Sequence, residues 1–275
     1  MNGRRILFVI LCGGASLAAQ EKADVHAIKV QGNVWMITGA GANIAMQAGK
    51  EGVLLVDTGA AGMTDKVLAA VREVSDGPIR YIVNTSISAD HIGGNALLAV
   101  LQGGLTNGKG RGPTPDIIAQ ENVLLRMSTP APEKKAPYPT DAWPMDGYMA
   151  AHRNLYFNGE VVDILREPAA HSDGDSIVYF RGSNVLVAGD IFTTTSLPMI
   201  DRKLGGTAKG LLDALNRMLD IAVPVAANRI TTTQTKKRFM KSPLCGRYKY
   251  ESRDGNCLSL APEHGQVIGL DGLLD

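Results

Sequence analysis

A continuous apolar run at Gly52–Asp57, with the sequence GVLLVD, constrains the fold more than any other feature of this chain. A strand buried on both faces has such a run, whereas a strand with one face in water alternates apolar and polar residues. The run is followed by Thr64–Val74, whose apolar residues recur at helical spacing, and by a second strand-like segment at Ile79–Asn84. A strand, a helix and a strand in this order predict a βαβ unit within a mixed α/β fold.

Further short strands and two more helices are predicted on either side of this unit. Gly93–Leu101 begins a helix, and Thr207–Ala222 is an amphipathic helix with its leucines on one side. Two Gly- and Pro-rich segments, Gly103–Pro115 and Thr129–Gly147, are predicted loops, and the length of the second suggests a lid or binding loop. The predicted strands are Val25–Val30, Val34–Thr38, Asn43–Ala48, Asn154–Phe157, Glu160–Arg166, Ser176–Arg181 and Asn184–Ala188.

The first nineteen residues are typical of an export signal and are excluded from the fold. Arg4 and Arg5 precede the apolar run Ile6–Cys12, and small residues follow up to Ala18 and Ala19. The apolar run is too short for a permanent membrane anchor. We therefore expect residues 1–19 to be a signal peptide and residues 20–275 to be a single domain, periplasmic or secreted from a bacterium, with no membrane attachment after cleavage.

Charge and cysteine content limit the expected partners. The 28 basic and 27 acidic residues give no whole-chain reason for nucleic-acid binding, and 45% hydrophobic content excludes general disorder. The segment 229–257 is locally basic, with eight Lys or Arg and one Glu between Arg229 and Arg253. It is either a solvated basic loop or a patch that attracts an anionic ligand. Cys245 and Cys257 either pair in an oxidising compartment or are two unrelated thiols.

Residues able to bind a metal ion follow the predicted strands at several points. Asp90 and His91 come after Ile79–Asn84, and His171, Asp190 and His264 occur later in similar contexts. Imidazole nitrogens and carboxylate oxygens are suitable zinc ligands, and a catalytic zinc site keeps one position open for water. We interpret His26 and His152, which lie outside these contexts, as surface or structurally satisfied histidines.

Five motifs in order resemble the metallo-β-lactamase superfamily. They are Val56-Asp57-Thr58-Gly59, Asp90-His91-Ile92-Gly93-Gly94, the His171 segment, Ala188-Gly189-Asp190 and His264-Gly265. The resemblance implies a four-layer αββα sandwich with metal ions at one edge between two sheets. It also implies a first metal site at positions 86, 88 and 171, and a second at Asp90, His91 and His264, with Asp190 bridging. Asp57 is then expected to brace the loop.

The chain departs from the resembled family at two positions of the first metal site. The family has histidines where this sequence has Ser86 and Ser88, and a serine hydroxyl is a poor zinc ligand near neutral pH. We predict one zinc ion rather than two, bound by Asp90, His91, Asp190 and His264, with His171 remaining from the first site. Ser86 and Ser88 are interpreted as small hydroxyl fillers rather than nucleophiles, because no base is placed beside them by sequence spacing.

Two functions follow from the resemblance. The first is a zinc-dependent hydrolase in which a metal-bound hydroxide attacks a lactam, ester or thioester-type carbonyl of a small-molecule substrate, with Asp90 orienting the water or accepting its proton. The second is a catalytically silent member of the same fold that binds a ligand or partner. The ligand set favours the hydrolase, and the two serines favour the silent protein. The substrate and the oligomeric state do not follow from the sequence.

Overall fold

The computed structural model describes residues 24–104, 114–130, 137–194 and 196–222, together with the backbone of three short strands at 249–251, 257–259 and 267–269. The predicted signal peptide, Cys245 and His264 lie outside the described residues, and so does most of the basic segment 229–257. In the part of the chain that the structure covers, no helix is long and apolar enough to cross a membrane.

A seven-stranded mixed sheet forms the first half of the molecule. Its strands are adjacent in chain order, antiparallel from β1 to β4 and parallel from β4 to β7. The predicted βαβ unit is confirmed, since β4 and β5 are parallel neighbours joined through a helix. The strands are β1 His26–Gln31, β2 Val34–Thr38, β3 Ile44–Gly49, β4 Gly52–Val56, β5 Ile79–Val83, β6 Asp116–Gln120 and β7 Asp146–Tyr148.

An antiparallel five-stranded sheet forms the second half, in the order β14-β11-β10-β9-β8. Val267 at the start of β14 is the register partner of Val187 at the end of β11, so these two strand ends meet at the same edge of the sheet. A separate antiparallel pair, β12 Lys249–Glu251 and β13 Cys257–Ser259, lies within the basic segment and its continuation. The other strands are β8 His152–Phe157, β9 Glu160–Glu167, β10 Asp175–Phe180, β11 Val185–Val187 and β14 Val267–Gly269.

Helices cover the outer face of each sheet. Helix α5, Ala208–Ala222, packs Leu211, Ala214 and Met218 against the second sheet, as its amphipathic pattern predicts. On the first sheet, Val67 and Leu98 from two different helices enter one apolar cluster with residues of β3, β4 and β5. The helices are α1 Thr64–Val74, α2 Ala89–Ile92, α3 Asn95–Gly104, α4 Glu121–Ser128 and α5 Ala208–Ala222.

The alternation of side chains along β4 explains why its sequence is apolar throughout. Leu54 and Val56 pack between the two sheets, against residues such as Val178 and Phe180. Leu55 points to the opposite face and packs under the outer helices of the first sheet. Successive side chains of a strand point to opposite faces, so a sheet covered on both sides needs apolar residues at every position. The result is the four-layer αββα sandwich that the resemblance implies.

The structure corrects one loop expectation. The predicted loop Thr129–Gly147 contains a 3₁₀ turn at Thr140–Ala142, and its last two residues are the first two of strand β7. Strand β7 is defined by its pairing with β6, a tertiary contact that has no local sequence pattern. The carbonyl of Ala142 accepts a hydrogen bond of 3.1 Å from Nδ2 of Asn95, which fixes this segment against α3. A lid role for the segment stays a prediction, and residues 131–136 lie outside the described part.

Candidate metal and catalytic site

The candidate site lies at one edge of the sandwich, where loops from both sheets meet. Asp57 directly follows β4, the segment Asn84–Ser88 follows β5, and Ala188–Phe192 follows β11. The carbonyl of Thr85 accepts a hydrogen bond of 2.8 Å from the amide of Ser176 in the second sheet. The ends of the parallel strands β4 and β5 meet at one sheet edge, which brings Asp57 and Asn84–Ser88 together. The segment Ala188–Phe192 comes from the antiparallel second sheet and reaches them through the packing of the two sheets.

Asp57 braces the loop, as the sequence predicts. Its side chain is fully buried and its φ is +67°, a conformation that Asp and Asn tolerate better than other residues with side chains. Oδ1 accepts a hydrogen bond from the Thr85 amide at 2.8 Å, and Oδ2 accepts one from Thr85 Oγ1 at 2.7 Å. Oδ2 also lies 2.7 Å from Nδ1 of His91. One carboxylate therefore fixes both the loop backbone and an imidazole.

His91 has one ring nitrogen anchored by a hydrogen bond and the other beside a carboxylate without a hydrogen bond. The residue is 0% exposed, and Nδ1 donates to Asp57. Nε2 makes no hydrogen bond among the described residues and lies 3.2 Å from Oδ1 of Asp190. Burial alone would lower the pKa of His91, but the charge and hydrogen bond of Asp57 and the charge of Asp190 raise it well above its ordinary value. An imidazole held by a carboxylate through one nitrogen and free at the other has the orientation of a metal ligand.

Asp190 is the centre of the site. Its Oδ2 accepts hydrogen bonds from Ser86 Oγ at 2.8 Å and from Ser88 Oγ at 2.5 Å. Burial would raise the pKa of Asp190, but the charge of His91, the Ser88 hydroxyl and the charge of His171 hold it well below its ordinary value. The carboxylate is therefore ionised at neutral pH, and its two oxygens have different partners.

His171 faces the same carboxylate from the second sheet. It is buried, and its Nδ1 donates to the carbonyl of Met199 at 2.9 Å. Its Nε2 lies 3.7 Å from Oδ2 of Asp190, which is longer than a hydrogen bond. His91 and His171 thus approach the Asp190 carboxylate from opposite oxygens, each with Nδ1 anchored elsewhere.

Asp90 is the predicted ligand that the structure does not bring into this group. It is exposed, whereas its neighbour His91 is buried, because successive residues of the short helix α2 point in different directions. Among the described residues the Asp90 carboxylate has no hydrogen-bond partner. The roles of Asp90 as ligand and proton acceptor, and of His264 as ligand, stay predictions.

Two sets of contacts were not found from the sequence. The first set is the pair of hydrogen bonds from the Ser86 and Ser88 hydroxyls to Asp190. The sequence indicates only that the two serines face the same side, because residues two apart on an extended chain do so. Asn84 and Asn95 form a reciprocal amide pair at 2.8 and 3.2 Å, and Thr58 Oγ1 donates to Asn95 at 2.9 Å. This second network joins residues 37 positions apart and has no sequence signature.

The donor set fits a metal ion incompletely. Over the ranges that the structure describes, no group of three or more His, Cys, Asp or Glu side chains is arranged to hold a metal ion. The unpaired Nε2 of His91 beside Oδ1 of Asp190 fits one half of a site. The hydroxyls of Ser86 and Ser88 occupy the other half and do not fit a metal ion there.

Comparisons with known proteins place the fold. Among curated proteins, none matches the chain. A metallo-β-lactamase from Pontibacter korlensis is 18% identical, with a TM-score of 0.55 over 70% of this chain and 84% of that one. A metallo-β-lactamase of Cronobacter sakazakii with a HARLDQ motif is 16% identical, with a TM-score of 0.55 over 71% and 74% of the two chains.

A class B3 di-zinc metallo-β-lactamase from an Alaskan soil metagenome is 15% identical, with a TM-score of 0.53 over 71% of this chain and 74% of that one. At these identities the three structures show a shared fold. The family model described as the metallo-beta-lactamase superfamily matches residues 29–227, which is more than half of the sequence. The chain therefore belongs to the metallo-β-lactamase superfamily.

Proposed function

We propose that this chain is a hydrolase that uses one divalent metal ion, zinc by expectation, bound at His91 and Asp190. One observation carries the proposal: Nε2 of His91 is buried without a hydrogen bond and lies 3.2 Å from Oδ1 of Asp190. A buried polar atom without a hydrogen bond to any described residue is costly, so its persistence at a site rich in ligand-type side chains favours a metal ion as its partner. The membership in the superfamily supports a hydrolytic reaction in general.

The chain's own residues divide the work around this ion. His91 and Asp190 would hold it, and Asp57 would keep the His91 ring oriented through Nδ1. A bound zinc ion lowers the pKa of a water molecule to about 7 and polarises a carbonyl oxygen. We keep the sequence prediction that His264 completes the ligand set and that Asp90 accepts the proton of the water. The proposed substrates are small molecules with a lactam, ester or thioester-type carbonyl.

A catalytically silent binding protein is the second candidate, and a specific contact favours it. Ser86 and Ser88 both donate to Oδ2 of Asp190, which satisfies that oxygen without a metal ion. In such a metal-free site, Nε2 of His91 is the remaining buried ring or carboxylate atom that still needs a hydrogen-bond partner among the described residues. The two candidates therefore differ in whether the purified protein takes up a metal ion.

Metal analysis of the full chain after zinc loading and gel filtration tests the proposal. We expect about one equivalent of zinc in the wild type and a loss of binding in His91→Ala. His152→Ala, an exposed histidine of β8, is the matched control and should retain the metal. Hydrolysis of a panel of lactams, activated esters and thioesters with added zinc then tests the reaction. Wild-type protein without zinc would exclude the hydrolase and support the silent protein.

A further inference from the structure

The two serines that replace metal ligands bind the same atom. Ser86 Oγ and Ser88 Oγ lie 2.8 and 2.5 Å from Oδ2 of Asp190, although they follow a strand of the other sheet, 104 and 102 positions away in the chain. An ionised carboxylate can only accept hydrogen bonds, so both hydroxyls donate to it. Hydrogen bonds to a charged acceptor are about twice as strong as those between neutral groups.

The proton of the Ser86 hydroxyl has its direction fixed by a further contact. The backbone amide of Ser88 donates to Ser86 Oγ at 3.2 Å. Because an amide N–H can only donate, this bond uses an acceptor lone pair of the hydroxyl and leaves its proton for Asp190. Ser86 itself is fully buried, so bulk water does not compete for that proton.

The hydrogen bonds also make the two oxygens of Asp190 unequal. Oδ2, on the side of His171, carries both serine hydroxyls, whereas Oδ1 lies beside the unpaired Nε2 of His91. A metal ion at the first position would have to displace these two hydroxyls from Oδ2. An ion beside His91 would find Oδ1 available and its carboxylate already held in place.

We propose that Ser86 and Ser88 are positioning residues for Asp190. They take the place of the first metal ion by fixing Oδ2, and they present Oδ1 to an ion beside His91. The first role holds for the metal-free protein, and the second rests on the proposed function of a one-metal hydrolase. The serines thus restrict this chain to a single metal ion, rather than merely filling the space of two histidines.

Thermal unfolding of the metal-free full chain tests the first role. We expect Ser86→Ala and Ser88→Ala each to lower the Tm by about 2–4 °C, because each removes a hydrogen bond to a charged, partly buried carboxylate. In an Asp190→Ala background the same changes should lower the Tm by less than half as much, since their partner is already gone. Ser88→Thr keeps the hydroxyl and should restore most of the loss. Ser128→Ala, whose hydroxyl bonds only to its own helix, is the matched control.

Zinc titration of the same variants tests the second role. The double variant Ser86→Ala/Ser88→Ala should bind zinc about 10–100-fold more weakly than the wild type, with Ser128→Ala unchanged. Equal Tm losses with and without the Asp190 carboxylate, or no losses, would overturn the positioning role whatever the metal content. The wild type could also bind no zinc while the serine variants still lose less Tm in the Asp190→Ala background. That result would exclude the one-metal hydrolase and still support the positioning of Asp190 by the two serines.

Discussion

Replacing Asp57 with Asn isolates the contribution of one buried charge to the candidate site. Asn tolerates the left-handed φ of +67° found at this position, so the backbone is not strained by the change. The amide oxygen of Asn can still accept the hydrogen bond from the Thr85 backbone. The amide nitrogen replaces Oδ2, which accepts from Thr85 Oγ1 and from Nδ1 of His91 at 2.7 Å each.

The expected loss of stability follows from these two contacts. A hydrogen bond to a charged group contributes about 1.5–3 kcal/mol, and removing one partner of a buried ion pair costs about 3–5 kcal/mol. Asp57 and His91 are both 0% exposed, so water does not replace the lost contacts. We expect the free energy of unfolding to fall by about 3–5 kcal/mol, a large part of the total for a domain of this size.

Equilibrium unfolding in urea, followed by circular dichroism at pH 7 on metal-free protein, measures this loss. Asp116→Asn, an exposed carboxylate at the start of β6, is the control and should stay within about 0.5 kcal/mol of the wild type. A loss of less than about 1 kcal/mol in Asp57→Asn would show that the carboxylate does not hold His91 as the distances indicate.

Three further changes test other parts of the structure. Gly189→Ala should destabilise by about 1–3 kcal/mol in thermal unfolding, because φ is +55° and a Cβ would lie 2.6 Å from Thr85 Oγ1. Burial raises the pKa of Glu167 to about 6 from 4.5, although Arg217 opposes it. The folded state therefore binds the Glu167 proton more tightly than the unfolded state does. As the pH rises from 4.5 to 7, the contribution of Glu167 to the free energy of unfolding falls by about 2 kcal/mol. Glu167→Gln should remove that part of the slope in urea unfolding measured across pH. Leu54→Ala, between the sheets, should cost about 2–5 kcal/mol in urea.

Much of the fold could be predicted because it depends on local periodicity. The apolar run at Gly52–Asp57 and the helix Thr64–Val74 match β4 and α1 almost residue for residue. β6 and α4 were missed, although they follow each other at 116–128. They adjoin a Gly-rich segment, and β6 is recognisable chiefly through its pairing with β5 and β7. The predicted helix at Gly93–Leu101 is shifted, since the structure has α2 before it and α3 extending beyond it.

Three of the five residues that the sequence predicts for the candidate site lie close together, and their contacts have no sequence signature. The motifs named His91, His171 and Asp190, and the structure brings these three side chains together. Asp90 was expected beside them and is exposed, because its orientation depends on how α2 is seated against the loop. The local sequence indicates only small fillers at Ser86 and Ser88, because their common partner Asp190 lies more than a hundred positions away in the chain.

Through its resemblance to the superfamily the sequence implied the αββα layering and the first metal position, and by itself it determined the βαβ unit, the order of the loops that follow the strands, and the two serines at positions 86 and 88. These features are encoded in residue type and in the periods of strands and helices, which neighbouring residues decide. Only the tertiary structure decided which oxygen of Asp190 each side chain meets and which nitrogen of His91 stays unpaired. Such choices depend on ångström-scale distances between strands of different sheets, and no local pattern in the chain records those distances.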